Sequence, residues 1–142
     1  MAVYVTPFID VGVNTDIYAS GDALGAKTSV RVPQTGIIES IMVIDRDSEN
    51  VNLDVVLFHT DIAGSAANAA FAPTDVELST LVGSVLVDTW KVFSTNSMGI
   101  ETAIGLAYRA PGGVLYFQCV TRGTPTYAAA TDLLIAFAIS EL

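Results

Sequence analysis

The 142 residues hold one histidine and one cysteine, His59 in "LFHTD" and Cys119 in "YFQCVTRG". A single histidine excludes a multi-histidine metal site and leaves any nucleophilic triad with one imidazole base. His59 and Cys119 could pair as base and nucleophile, but the thiol lies in an apolar, strand-like stretch with no helix amino terminus to lower its pKa. Cys119 is therefore expected to act as a small buried hydrophobe. His59, placed by alternation on the strand face of Leu53, Val55 and Leu57, is expected to be a strand-end histidine held by a local partner. A lone cysteine forms no intramolecular disulfide, so no oxidising compartment is implied.

The carboxylates of "DRDSEN" are the sharper candidates. Asp45, Asp47 and Glu49 alternate, and alternating carboxylates in a loop can converge on Ca²⁺. A calcium loop of the helix-loop-helix type needs Gly at its sixth position and Glu at its twelfth; Asn50 and Val56 stand there. A solvated hairpin turn is expected, with calcium left open. Asp45 and Asp54 would serve glycoside hydrolysis only if they faced each other across a cleft, and nothing marks one. "GDALG" lacks the Lys-Ser/Thr of a P-loop and the three glycines of a dinucleotide site, so Gly21 and Gly25 read as loop residues. Trp90, Tyr108, Tyr116 and Tyr127 could make a sugar-stacking platform, although core and interface packing is the commoner use of such residues. No catalytic constellation emerges, and no enzyme activity, metal or cofactor is expected.

The elements that would carry these residues are short strands separated by turn signals, which suggests an all-β chain: a single β-sandwich or jelly roll of about eight strands. Val3 to Thr6 is extended and closed by Pro7, and Lys27 to Val32 ends at Pro33. "GIIESIMVIDRD" should be a central strand, with Ile37, Ile41 and Val43 on one face and Ile38, Met42 and Ile44 on the other. "VNLDVVLFHTD" follows it. The Ala-rich middle predicts one or two short helical turns, with Thr74 or Asp75 as N-cap and Gly83 as stop. Strands resume at Ser84 to Asp88, Thr102 to Arg109 and Val114 to Thr121, the last two joined by the hairpin signal "APGG". Leu133 to Ser140 is apolar on both faces. Residues 1–16 read as an amino-terminal arm outside a sandwich domain of residues 17–142.

Fifteen acidic against six basic side chains give a net charge of −9. That balance opposes nonspecific binding to nucleic acid or to an anionic membrane. Charged residues make up 15% of the chain, 51% are apolar, and the mean hydropathy is +0.54. The apolar runs are too short for a spanning helix, so the excess apolar surface is expected in a core and a subunit interface. "MAVYVTPFID" lacks the basic segment and apolar stretch of a signal peptide, and none is expected.

Three stretches, "YASGDALG" from Tyr18 to Gly25, "NAAFAPTDVEL" from Asn68 to Leu78 and "VTRGTPTYAAATDL" from Val120 to Leu133, resemble in order and spacing small proteins of the structural gene modules of tailed bacteriophages. The resemblance runs from about Tyr18 to Leu142 and carries no catalytic signature. It implies a capsid decoration, or cement, protein: a β-sandwich, often a homotrimer, seated over junctions between major capsid subunits. It also implies a place on the outer capsid surface of the virion, after residence in the host cytoplasm. The alternative is a tail or head-fibre module that binds glycan through Trp90 and the tyrosines.

Interface candidates follow from residue type. Arg122, Pro125 and Tyr127 suit an ordered contact with a partner. The small-residue face Leu134, Ala136 and Ala138 suits close subunit packing if the strand lies near a sheet edge, the arrangement favoured here. The apolar arm, with Tyr4 and Phe8, could complete a neighbour's sheet by strand addition.

Overall fold

Alternating and β-branched apolar segments leave the backbone of this chain little alternative to sheet. The computed structural model, which describes residues 2–142, has eleven strands and one helical turn among those residues. The strands are β1 (Val3–Val5), β2 (Ile9–Asp10), β3 (Thr28–Arg31), β4 (Thr35–Asp45), β5 (Leu53–Phe58), β6 (Leu81–Val87), β7 (Trp90–Val92), β8 (Ser97–Glu101), β9 (Leu106–Arg109), β10 (Val114–Thr121) and β11 (Leu133–Glu141), with α1 at Asp75–Leu78. All pairings are antiparallel. The larger sheet runs β1-β11-β4-β8-β7, with β2 also on β11 and β9 also on β4; the smaller runs β3-β10-β5-β6. The fold is a β-sandwich, and no helix among the described residues is long and apolar enough to cross a membrane.

The core fills the space between the sheets. Leu53, Val55 and Leu57 of β5 point into it as alternation required, facing Ile41 and Val43 of β4 and the odd-numbered Leu133, Ile135, Phe137 and Ile139 of β11. Phe117 and Phe137 meet edge to face across the layer, ring centroids 5.3 Å apart.

Strand β4 departs from simple alternation. Ala138 pairs with Ser40 but Ile139 with Ile38, so Glu39 is an extra residue in a β-bulge. The bulge exchanges the two isoleucines: Ile38, Ile41 and Val43 are buried, whereas Ile37, Met42 and Ile44 face outward and are half-buried.

Two expected hairpins are crossings between sheets. Strand β4 belongs to the larger sheet and β5 to the smaller, so "DRDSEN" bridges the layers; "APGG" likewise carries the chain from β9 to β10. The expected strand from Thr102 to Arg109 starts only at Leu106, because Ala103 and Gly105 take positive φ of 55° and 66°. Strands β8 and β9 are thus two halves of one interrupted partner of β4. Gly83 does not stop the helix. Thr74 caps α1 in a reciprocal capping box with Glu77, the turn closes at Ser79, and Gly83 lies within β6.

The last strand is interior to its sheet. Val3, Tyr4 and Val5 pair with Ser140, Ile139 and Ala138, and Ile9 and Asp10 with Ile135 and Leu134, while β4 flanks the other side of β11. Residues 3–10 of the expected arm are therefore the edge of the chain's own sheet, and Met1 lies outside the described residues. Thr6 locks this edge: its N–H donates to the Phe137 carbonyl and its Oγ1 accepts from the Phe137 N–H, both at 2.9 Å.

Candidate interaction surfaces

The residues whose types could do chemistry do not converge. His59 is exposed just beyond β5, its ring Nδ1 3.0 Å from the Thr60 hydroxyl and its backbone N–H donating to the Thr80 carbonyl. Cys119 is in the core opposite Val55, and burial pushes its thiol up to about 12, so it is not a thiolate at neutral pH. The base is thus exposed past the end of β5, while the thiol is buried opposite a residue four positions earlier in that strand. Among the described residues no three His, Cys, Asp or Glu side chains form a metal-binding group.

The acidic loop is built inward. Asp45 is fully buried; its Oδ1 accepts from the Asp47 N–H and its Oδ2 from the Asn50 N–H. Burial raises its pKa above the ordinary carboxylate value, partly offset by those hydrogen bonds. Asp47 accepts from the Ala128 N–H and Glu49 from the Thr126 N–H. The loop is therefore a clamp on residues 126–128 and not a solvated turn. Lone pairs aimed at amide donors are poorly placed for a cation. Asp54, the other expected carboxylate, pairs with Arg122.

The three stretches that carry the resemblance come together in space. Gly21 donates to the Thr121 carbonyl and Leu24 to the Cys119 carbonyl, both at 2.8 Å; Ala23 donates to Ala69, Asn68 to Ala23 and Phe71 to Gly21. Tyr18 sets its ring edge to face on Tyr127 at 6.1 Å, and its hydroxyl donates to the Leu24 carbonyl. Gly25 is obligatory here, since a Cβ would stand 1.9 Å from the Val11 carbonyl oxygen. Pro125 and Tyr127, expected as partner contacts, are buried in this layer, because the loop folds back over the end of the sandwich. Arg122 is exposed in its ion pair, and Phe8 is 43% exposed. Tyr4 turns inward opposite Ile139 and packs on the core.

The aromatic platform does not form. Tyr108 and Tyr127 are buried, Tyr116 packs in a separate cluster, and Trp90 lies over Gly99. Tyr108 donates to the Pro33 carbonyl at 2.9 Å, and burial pushes its phenol up to about 12. It lines a shallow cleft of about 440 Å³ with His59, Leu81, Val82, Ala107, Arg109 and Pro111. The cleft brings one imidazole and one guanidinium to an apolar wall.

The two sheets differ in how their outer faces are covered. On the smaller sheet, Val56, Phe58 and Val120 are buried under Ile62 and Phe71. Gln118 fastens this cover, donating to the Gly25 and Ser65 carbonyls and accepting from the Ser65 N–H. No strand or helix of the described residues crosses the outer face of the larger sheet. Pairing register places on it Val3, Val5, Ile37, Met42, Ile44, Met98, Ile100, Leu134, Ala136 and Ala138, with Ser40 and Ser140 among them; Ala136 is buried and the other central side chains are half-buried. Val3 and Val5 are 72% and 63% exposed. Leu134, Ala136 and Ala138, expected from sequence as a contact face, lie at its centre; Met98 and Ile100 were missed because β8 carried no clear strand signal. No family model matches the chain, and no curated protein matches it.

Proposed function

We propose that the chain is a structural protein that works by assembly, without catalysis: a capsid decoration protein that binds major capsid subunits and further copies of itself on the outer surface of a tailed-phage head. The observation that carries the assembly reading is the uncovered apolar face of the larger sheet, on a chain that covers the equivalent face of its smaller sheet with its own residues. Contiguous apolar surface of this kind marks interaction sites. The capsid half is supported by the resemblance of residues 18–25, 68–78 and 120–133. The acidic balance of −9 suits a protein outside the shell, where it neither traps nucleic acid nor competes for it.

The test mixes the purified chain with heads assembled from the major capsid protein encoded in the same gene module. Cosedimentation at a saturating, fixed ratio of chain to capsid subunit, with heads that resist heat better than bare ones, is expected. Heads that sediment free of the chain at micromolar concentrations would refute the capsid reading.

A further inference from the structure

The outer face of the larger sheet has a charge pattern that tells which partner fits it. Following the pairing register across the strands, one row reads Asp10 on β2, Leu134 on β11, Ile44 on β4, Met98 on β8 and Lys91 on β7. Directly paired residues share a face, so these five side chains stand on the same side as the apolar surface. The row is apolar in its middle three positions and oppositely charged at its two ends. Asp10 and Lys91 are both exposed, and neither is in an ion pair among the described residues. The neighbouring row reads Ala136, Met42 and Ile100.

We infer that this face receives a second copy of the chain, packed sheet on sheet about a two-fold axis that lies between the copies along β4. A two-fold interface requires a surface complementary to itself. Rotation about an axis along the strands keeps each row at its own level and reverses it. β2 then lies over the second copy's β7, β11 over its β8, and β4 over its β4. Asp10 of each copy meets Lys91 of the other, giving two ion pairs at opposite rims. Leu134 meets Met98, and Ile100 stands over the small Ala136, which its own chain already leaves only 5% exposed. Packed sheets stand about 10 Å apart, a gap that the side chains of a lysine and an aspartate together span.

Size agrees. The 37 strand residues of the larger sheet, each covering about 3.4 Å by 4.8 Å, give a face of about 600 Å² per copy, so about 1,200 Å² from both, at the lower end of specific interfaces. No other acidic or basic side chain belongs to these two rows; Glu39 lies in the bulge farther along β4. The three-fold order implied by the resemblance would need two different patches in contact, whereas this row is matched to itself. The pairing names the occupant of the face in the assembly reading, but it rests on the strand register and needs no capsid.

The experiment measures the mass of the purified chain by sedimentation equilibrium over a concentration series, without heads, alongside far-UV circular dichroism and thermal unfolding to confirm folding. Wild type is expected at twice the 14.9 kDa chain mass. Lys91→Asp sets two carboxylates against each other at both rims and should weaken the dimer about tenfold, and Asp10→Lys should do likewise. The double exchange, Asp10→Lys with Lys91→Asp, should restore dissociation to within about threefold of wild type. Ile44 meets its own copy at the axis, so Ile44→Lys should give a folded monomer at every concentration. A monomeric or trimeric wild type would overturn the inference, as would a folded double exchange as weak as the single variants. Binding to heads is read separately, so loss of either result identifies which proposal has failed.

Discussion

Thr6→Val tests whether the first strand belongs to its own chain's sheet. Thr6 is 4% exposed, and its Oγ1 is the acceptor for the N–H of Phe137 at 2.9 Å, in the middle of β11. Valine has nearly the same shape and keeps the backbone bond from residue 6 to the Phe137 carbonyl, but it offers no acceptor. A buried amide is left unpaired, which costs about 1–3 kcal/mol. In a chain of this length that corresponds to a fall in Tm of about 3–4 °C per kcal/mol. Urea unfolding followed by tryptophan fluorescence gives the free energy, and amide hydrogen exchange locates the change. Protection should fall at Phe137 and along Val3–Val5 in Thr6→Val. Thr6→Ser, which keeps the acceptor, should retain protection at Phe137 despite losing a methyl group. A Thr6→Val protein within about 0.5 kcal/mol of wild type, with Phe137 still protected, would refute the lock between β1 and β11.

Other outcomes follow from single contacts. Gly25→Ala places a Cβ against the Val11 carbonyl oxygen and should cost more than about 3 kcal/mol or prevent folding, whereas Gly112→Ala, with open space around it, should stay within about 0.5 kcal/mol in the same unfolding assay. Asp45 binds its proton more tightly in the folded chain than in the unfolded one, because burial raises its pKa. Between the ordinary carboxylate value and the raised native one the folded state holds more protons, so this group's contribution to stability falls as pH rises through that window. Asp45→Asn, which does not titrate, should remove that component from the unfolding free energy measured against pH. Phe137→Ala empties the edge-to-face contact with Phe117 and should cost about 3–5 kcal/mol by urea unfolding. Cys119 should stay unreactive to a thiol reagent at neutral pH in the native chain and react stoichiometrically in denaturant; rapid native labelling would contradict its burial.

Local chemistry was enough to determine some features of this chain from sequence. The inward alternation of Leu53, Val55 and Leu57 depends only on the two-residue period of a strand, and a cap at Thr74 or Asp75 only on a short oxygen-bearing side chain at the start of the turn, of which the structure uses Thr74. Both stand in the structure as the sequence implied. The all-β sandwich was legible for the same reason, since its strands are dense in β-branched residues and its turns in glycine and proline.

What tertiary structure alone decided is which sheet each strand joins. The loops "DRDSEN" and "APGG" have hairpin composition, yet each crosses from one sheet to the other, because the turn residues permit a reversal without choosing the strand that receives it. Burial of Pro125 and Tyr127 depends on residues 18–25 packing more than a hundred positions away in the chain. The outward turn of Ile37 depends on a bulge that shows itself only in the register with β11. The row from Asp10 to Lys91 needs four pairings to align before two opposite charges, each ordinary in its own segment, stand at the ends of one apolar face. Side-chain type is written along the chain, but which face a residue presents, and beside which neighbour, follows from long-range pairing that no local window contains.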